Sequence, residues 1–494
     1  MNMPQPAGLL ILAASFGIGS VAAASNPNVI IVANMEGSLM TASRDGNLLV
    51  GSSIYLQQSG GGGGIPVPPI FAPINAWRRS TGEVSILEWS MSAVARCANA
   101  DGSMIGGVDY DRRGFSPAGA IVWMPGSSGE SGSHRYLPVP GGVLSRDGDL
   151  VNWLSRDGSL GFGCTAGASL TRWTGLTGDN PVAQWLLRDG STSTSNPWVN
   201  VIYCTDPQSS DDGSVVAGSD VEAGPFLWRP GPGGGYVPLP IVVGWQWTSM
   251  RAMTPDGRTV VGTAFSEGNQ SRLVRWSINP IDGSAEAIAL TDSYAPYLYE
   301  SGHIVGTLYG ITAGMSDDGT IIGFNATTET SITPMLWLAS GALGTPSPTG
   351  VGRLVPLLDY LTAHGVSMSG IDESLDGALR PAELVTVSAD GRTVAGHGYI
   401  VKADFEGNPY DAEVIWTARI PIRCGPADIA GLGGTPDWDG QLTPDDLIIY
   451  LSSYFAGDLA SADLTDAGGA GPADGTLSPD DLVMFLTRFF AGCT

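Results

Sequence analysis

The chain has 494 residues, room for one large repeat domain and a small second one, and carries a formal net charge of −25. That charge opposes phosphate backbones and anionic lipid, so it argues against a nucleic-acid role, and Lys402 as the single lysine leaves little room for Schiff-base or P-loop chemistry. Abundant glycine (70) and proline (34) beside 43% hydrophobic residues speak against disorder and for many short strands joined by tight turns.

Residues 7–24, AGLLILAASFGIGSVAAA, are uncharged and apolar and end in small residues before Ser25. This is the pattern of a secretory signal peptide over residues 1–24, although its start lacks Lys and Arg. No later stretch is long and apolar enough to span a bilayer, so no membrane span is expected after cleavage. Five cysteines suit an exported chain. Cys424 and Cys493 bracket the last segment and are expected to pair, which leaves Cys97, Cys164 and Cys204 as an odd set. Within it, Cys164–Cys204 is one possible bridge and Cys97 a buried thiol.

From residue 25 to residue 423 an Asp-Gly phrase recurs. Its copies are SRDGNLLVG (43–51), NADGSMIGG (99–107), SRDGSLGFG (155–163), SDDGSVVAG (210–218), TPDGRTVVG (254–262), SDDGTIIGF (316–324) and SADGRTVAG (388–396). Another Ser-Arg-Asp-Gly, at 145–148, is out of register and is expected to be a local turn. After each copy comes one tryptophan: Trp77, Trp123, Trp173, Trp228, Trp276, Trp337 and Trp416. The copies are about 57 residues apart, a period that signals a repeat architecture. Asp-Gly between apolar residues suggests a type I′ hairpin, with the preceding Ser or Thr bonding back to the turn. The β-branched run that follows is of strand type. Units of this size, about four strands each, must stack to bury their faces. Seven of them predict an all-β, seven-bladed β-propeller with the tryptophans between blades. A β-solenoid or two β-sandwiches fit the even spacing less well.

The pattern S-x-D-G-x-x-V-x-G followed by a tryptophan resembles the HAF-type extracellular repeats of bacterial secreted and autotransporter proteins. The resemblance covers about four-fifths of the chain and implies no settled activity. Asn99 replaces Ser in the second copy, and Phe324 replaces the closing Gly in the sixth.

Residues 424–494 shift to acidic residues and helix formers, with a second repeat offset by about 35 residues. Each unit is a loop followed by a helix that begins Thr443-Pro444 or Ser478-Pro479, a cap followed by proline at the first helical position. Leu447, Leu451, Tyr454 and Phe455, with Leu482, Leu486, Phe489 and Phe490, are expected to form two apolar stripes that pack on each other. The loops have the grammar of a Ca²⁺ site, in which hard oxygen ligands surround a Gly turn. The expected ligands are Asp428, Asp439, Gln441 and Asp446 in the first unit and Asp463, Asp474, Thr476 and Asp481 in the second. The competing expectation is that Asp446 and Asp481 only complete capping boxes.

These duplicated units between two cysteines resemble the dockerin-like C-terminal domain, ending in Gly-Cys, of exported proteins from planctomycete-type bacteria. The resemblance implies an attachment or sorting module that binds a partner and performs no catalysis. Its longer loop departs from true dockerins, so a cohesin-like partner is not implied.

None of the four histidines, His134, His303, His364 and His397, stands in zinc-hydrolase spacing, and no nucleophile elbow or phosphate loop is present. The repeat aspartates are expected to be turn residues. Trp245 and Trp247 share a strand face that suits a core better than a ligand platform. The expected function is a secreted or cell-surface protein whose propeller recognises a protein or polysaccharide partner. The alternative is a polysaccharide-acting hydrolase or lyase. It requires two or three carboxylates and an arginine to converge at the axis where the blades differ.

Overall fold

The computed structural model describes most of residues 29–420 and the larger part of 427–491. Left aside are 1–28, 53–73, 291–313, 340–351, 367–379 and 421–426, together with other stretches of up to six residues. Seven antiparallel sheets follow one another along the chain. Blade 1 runs from Leu39–Ala42 to Val84–Glu88, and blade 2 from Ala93–Ala98 to Ser133–Tyr136. Blade 3 runs from Leu150–Leu154 to Thr192–Ser193, blade 4 from Cys204–Ser209 to Gly235–Pro238, and blade 5 from Trp247–Met253 to Ala285–Ala289. Among the described residues blade 6 has three strands, Ile321–Thr327 to Arg353–Pro356, and Met315, before the turn, forms an antiparallel bridge to Ile322. Blade 7 is made of Arg380–Val387, Thr393–Ala403 and Pro409–Arg419. Its outermost strand is Val29–Glu36, from the other end of the propeller sequence, antiparallel to Pro409–Arg419. This borrowed strand ties the first blade to the last. The fold is a seven-bladed β-propeller.

The Asp-Gly phrases join the first and second strands of blades 1 to 5 and 7, and in blade 6 the phrase lies between Met315 and the strand from Ile321. In Ser43-Arg44-Asp45-Gly46 the Gly46 amide donates to Ser43 O (2.9 Å) and Ser43 N to Leu48 O (2.8 Å). Gly46 has φ +68°, while Asp45 is not among the residues of positive φ. The expected type I′ turn is therefore corrected to a type I turn followed by a left-handed glycine, because only Gly tolerates that region without strain. The rest of the phrase holds this turn. The Ser43 hydroxyl accepts the Leu48 amide (2.8 Å) and donates to Asp45 Oδ1 (2.5 Å), which also accepts the Asn47 amide (2.9 Å). Ser155, Ser210, Thr254, Ser316 and Ser388 repeat the arrangement. In blade 2 the Asn99 Oδ1 takes over, accepting the Met104 amide at 2.9 Å.

The tryptophans lie on the third strands and are buried. Seven of the core clusters each span one blade boundary, and each holds one tryptophan from the downstream blade. Trp77 packs with Val385 and Ile415 of blade 7, which closes the ring. Trp123 to Trp416 fill the other six boundaries in order. Three indole N–H groups donate back to the preceding blade, at Pro138 O, Leu187 O and Pro240 O (2.7–2.9 Å). Burial of so large a ring fixes the wedge between sheets, and in these three blades the bonded indole N–H adds a polar tie.

Cys164 and Cys204 sit on adjacent blades as free thiols, with Cys164 Sγ donating to Cys204 O at 2.9 Å. The expected bridge is replaced by two small buried residues packed in one interface cluster. Cys97 is also a free thiol, half-buried, and burial pushes its pKa up.

The tail has its own core. Helices Pro444–Ala456 and Pro479–Ala491 do pack together, through Tyr450 stacked on Phe485 with ring centroids 3.9 Å apart. Leu447, Leu451, Tyr454, Leu482, Leu486 and Phe489 pack around that pair. The stripe differs from expectation at Phe455 and Phe490, which are 79% and 78% exposed. Tyr450 and Phe485 point inward because each lies one helical turn after its capping aspartate, on the loop side.

Candidate functional site at the propeller axis

The seven turns meet around the axis. Asp45 N donates to Ala100 O (3.1 Å), Ala100 N to Arg156 O (3.2 Å) and Asp211 N to Pro255 O (2.9 Å). Asp317 N donates to Ala389 O (2.7 Å) and Ala389 N to Arg44 O (2.5 Å). Neighbouring turns of blades 1–2, 2–3, 4–5, 6–7 and 7–1 are thus bonded backbone to backbone, in each case through the residue before a repeat Asp. That residue is the variable letter of the repeat: Arg44, Ala100, Arg156, Asp211, Pro255, Asp317 and Ala389 from blade 1 to blade 7.

The four charged letters find each other across the axis. Arg44 bonds Asp211 (2.8 Å) and Asp317 (2.5 Å), while Arg156 reaches Asp211 (3.4 Å) and pairs with Asp317. Blades 1, 3, 4 and 6 are thereby cross-linked at the turn-side mouth. The side chains of Arg44, Asp211 and Asp317 are 19–24% exposed, and Arg156 is 57% exposed. Carboxylates and arginines do converge where the blades differ, as a catalytic axis would require. Each carboxylate, however, is held by two guanidinium groups, an arrangement that neutralises charge and braces the ring.

Every described inner strand also carries a β-bulge. The extra residue is Met40, Arg96, Asn152, Arg251 or Val385, three positions before the Ser, Thr or Asn99 of the turn, and blade 7 has a second bulge at Ala382. In blade 4 the irregularity takes in Asp206 and Pro207. The bulge explains the closing glycine of the repeat. A Cβ on Gly107, Gly163 or Gly396 would lie about 2 Å from the carbonyl oxygens of Val94, Leu150 and Glu383, and within 3.1 Å of the blade's own tryptophan ring. Asp206, at φ +49°, accepts from Asn152 of blade 3 (3.2 Å) and Arg251 of blade 5 (3.2 Å).

Blade 7 holds a second group of titratable side chains. His397 Nε2 lies 3.3 Å from Glu383 and 3.9 Å from Glu413. Burial, and then the Glu413 carboxylate, push Glu383 up to about 7, and burial lowers His397 against the pull of Glu413. Of the other histidines, His134 meets Tyr136 edge-on, and His303 and His364 lie outside the described residues.

In the tail, Asp446 is fully buried. Its Oδ1 accepts the Ile429 and Ala430 amides, and its Oδ2 accepts the Thr443 amide and hydroxyl (2.7–3.2 Å). Asp481 repeats this with Leu464, Thr465 and Ser478. Burial works against its charge, but those donors outweigh it and keep its pKa low. Asp463 accepts the amides of Asp474 and Gly475, and Asp474 accepts the amide and hydroxyl of Thr476. Asp446 and Asp481 thus each reach back to the backbone of the helix-capping residue, and among the described residues no group of three His, Cys, Asp or Glu side chains is placed to hold a metal ion. Asp428, Asp439, Gln441, Cys424 and Cys493 lie outside the described residues, as do Trp245, the signal-like segment and the turn at 145–148. No described helix is long and apolar enough to cross a membrane.

No family model and no curated protein matches the chain. Among solved structures it is similar to the RRP9 WD40 repeats, at 11% identity and TM-score 0.42, over 80% of this chain and 98% of that one. It is similar to the Cps50 (Swd1) β-propeller domain of Myceliophteria thermophila, at 10% identity and TM-score 0.42, over 79% and 98%. It is also similar to the periplasmic gluconolactonase PpgL of Pseudomonas aeruginosa, at 14% identity and TM-score 0.37, over 65% and 84%.

Proposed function

We propose that this chain is an exported recognition protein. In this reading residues 1–24 direct export, the HAF-like propeller of residues 25–423 binds a protein or polysaccharide partner, and residues 424–494 form a dockerin-like attachment module. The observation that carries it is the pair Phe455 and Phe490, with Ile448 (58% exposed) and Val483 (60% exposed) one turn-pair earlier on the same helices. They occupy equivalent positions in the two units and face outward, although a buried core lies one side away. Large exposed apolar residues placed in duplicate suit docking to a partner. The axial charges support recognition over hydrolysis, because Asp211 and Asp317 are spent on Arg44 and Arg156. Calcium belongs to this proposal through the spacing of the tail loops, with Asp463 and Asp474 exchanging N–H donors for the cation.

Fractionation of producing cells tests the reading. The wild-type chain is expected outside the cytoplasm and on the cell surface, with the Phe455→Ala/Phe490→Ala variant released to the medium. Retention in the cytoplasm, or equal surface attachment of the double variant, overturns it. Calorimetric titration of the full chain with Ca²⁺ tests the metal: no saturable heat would remove it.

A further inference from the structure

One position of the repeat, just after its closing residue, reaches toward the next blade. Cys164 of blade 3 donates to Cys204 O of blade 4, and Ser219 of blade 4 accepts the Met250 amide of blade 5 at 3.2 Å. Asn325 of blade 6 donates to Leu384 O of blade 7 (2.8 Å) and accepts the Leu384 amide (2.9 Å). In blade 7 this position is His397, at the seam where the last blade meets the first. His397 is paired in register with Ile415, so the two share a face of the sheet, and Ile415 packs with Leu39, Leu49 and Trp77 of blade 1.

His397 Nε2 sits beside two carboxylates, 3.3 Å from Glu383 and 3.9 Å from Glu413, and the three side chains are 13–22% exposed. His397 Nδ1 is buried and has no hydrogen-bond partner among the described residues. A charged imidazole would hold that N–H unbonded, which favours the neutral ring. The other titratable groups of the sheet nearby are Tyr399 and exposed Asp411, with Glu36 in register opposite Val414 and Arg380 opposite Tyr399. The blade 1 strands Leu39–Ala42 and Leu48–Ser52 contain none. Beyond Trp77, Arg78 and Arg79 bond Asp101 O and Thr393 at the turn side.

We propose that Glu383 and His397 form a proton-exchange latch at the closing seam: the proton that the imidazole carries while the seam is open and wet resides on the Glu383 carboxyl, donated to Nε2, once the ring is closed. One O–H bond forms as one N–H bond breaks, and the total charge of the pair is unchanged. The linkage signs support this. Burial and Glu413 push Glu383 up to about 7 from an ordinary 4.5, so closure takes up a proton there, and that contribution to closure is lost as pH rises through this window. Burial lowers His397 from its ordinary 6.5, so closure releases a proton there, and that contribution is lost as pH falls below 6.5. Across about pH 5–6.5 the two cancel, and removing either partner exposes the slope of the other. The latch concerns ring closure alone, so its failure leaves the recognition reading untouched.

Amide hydrogen exchange of the full chain at about pH 5 and about pH 6.5, corrected for intrinsic rates and referred to the blade 3–4 boundary, tests the latch. Protection of Leu39–Ala42 and Thr393–Ala403 is expected to change less than about threefold between the two in the wild type. In His397→Asn, which copies Asn325 of blade 6, it is expected to fall about tenfold as pH rises, and in Glu383→Gln to rise about tenfold. The infrared difference between wild type and Glu383→Gln at about pH 6 is expected to carry a protonated-carboxyl band. Each slope is read within one protein, so a general loss of stability does not imitate it, and if one variant fails to fold the wild type and the other still decide. A carboxylate band in place of the carboxyl band, about a tenfold change in the wild type, or slopes of the same sign in both variants overturns the proposal.

Discussion

Arg44 on blade 1 holds Asp211 on blade 4 at 2.8 Å across the propeller axis, and the same guanidinium holds Asp317 on blade 6 at 2.5 Å. A perfectly repeated sequence could not do this. Seven arginines in the variable letter would repel at the mouth, and seven alanines would leave it open. The repeat keeps Ser, Asp and Gly for the turn and varies the one residue whose side chain reaches the axis. Charge complementarity at that position chooses which blades are braced against each other.

The closing glycine makes a sharp prediction. Gly163→Ala puts a methyl at 1.9 Å from Leu150 O and against Trp173, and both belong to the packed frame of the blade. A loss of about 3 kcal/mol is expected in chemical denaturation. Gly82→Ala, at φ +71° with nothing within 4 Å, isolates the backbone term and should cost about 1 kcal/mol. Equal losses at the two sites would remove the close-approach explanation.

The interface tryptophans should be the costliest single positions. Trp228→Ala empties the blade 3–4 boundary and removes the indole's bond to Leu187 O, for a loss of about 3–5 kcal/mol. Urea midpoints check this, and a loss below about 1 kcal/mol would show that the boundary does not depend on the ring.

Glu383 gives a pH dependence of definite sign. Its folded pKa, about 7, lies above the ordinary glutamate value of 4.5, so folding favours the protonated form. The resulting stability is fully present below about pH 4.5 and is lost as pH rises through 7. Glu383→Gln keeps the shape without the charge and should be more stable than wild type at pH 8 by about 1–3 kcal/mol relative to the difference at pH 4. His397 works in the opposite sense, its neutral form being favoured, so its contribution is lost as pH falls below 6.5. Thermal unfolding of both proteins across pH 4–8 measures this, and a constant difference would contradict it.

Local chemistry was legible in the sequence, and radial chemistry was not. Asp-Gly announces a turn because Gly46 must sit at positive φ, and counting such turns counts the blades. Even so, the dipeptide does not tell a type I′ turn from a type I turn with a left-handed glycine, since both ask for the same residues. The role of Arg44 was hidden because its partners are 167 and 273 residues away and are chosen by the angle between blades. The bulges were hidden for a related reason: the closing glycine records a clash with another strand and leaves no mark on that strand. In the tail, helical periodicity found the apolar face but included Phe455 and Phe490 and passed over Tyr450 and Phe485. Which edge of an apolar stripe turns inward is set by the loop that docks on it, here through Asp446 and Asp481. The borrowed strand Val29–Glu36 carries no repeat motif at all and was visible only once it paired with Pro409–Arg419.

Arg156 should matter less than Arg44. At 57% exposure its ion pairs are largely solvated, and Arg156→Ala is expected to cost under about 0.5 kcal/mol against about 1–2 kcal/mol for Arg44→Ala. Raised salt should narrow the gap between Arg156→Ala and wild type first, which stability curves at two ionic strengths would reveal.

The most direct test of the axial plug is a double-mutant cycle on Arg44→Ala and Asp211→Ala, read by chemical denaturation of the full chain. A favourable coupling of about 1 kcal/mol between residues on blades 1 and 4 is expected. Additive losses, with no coupling, would contradict the account of a repeat whose variable letter closes the axis.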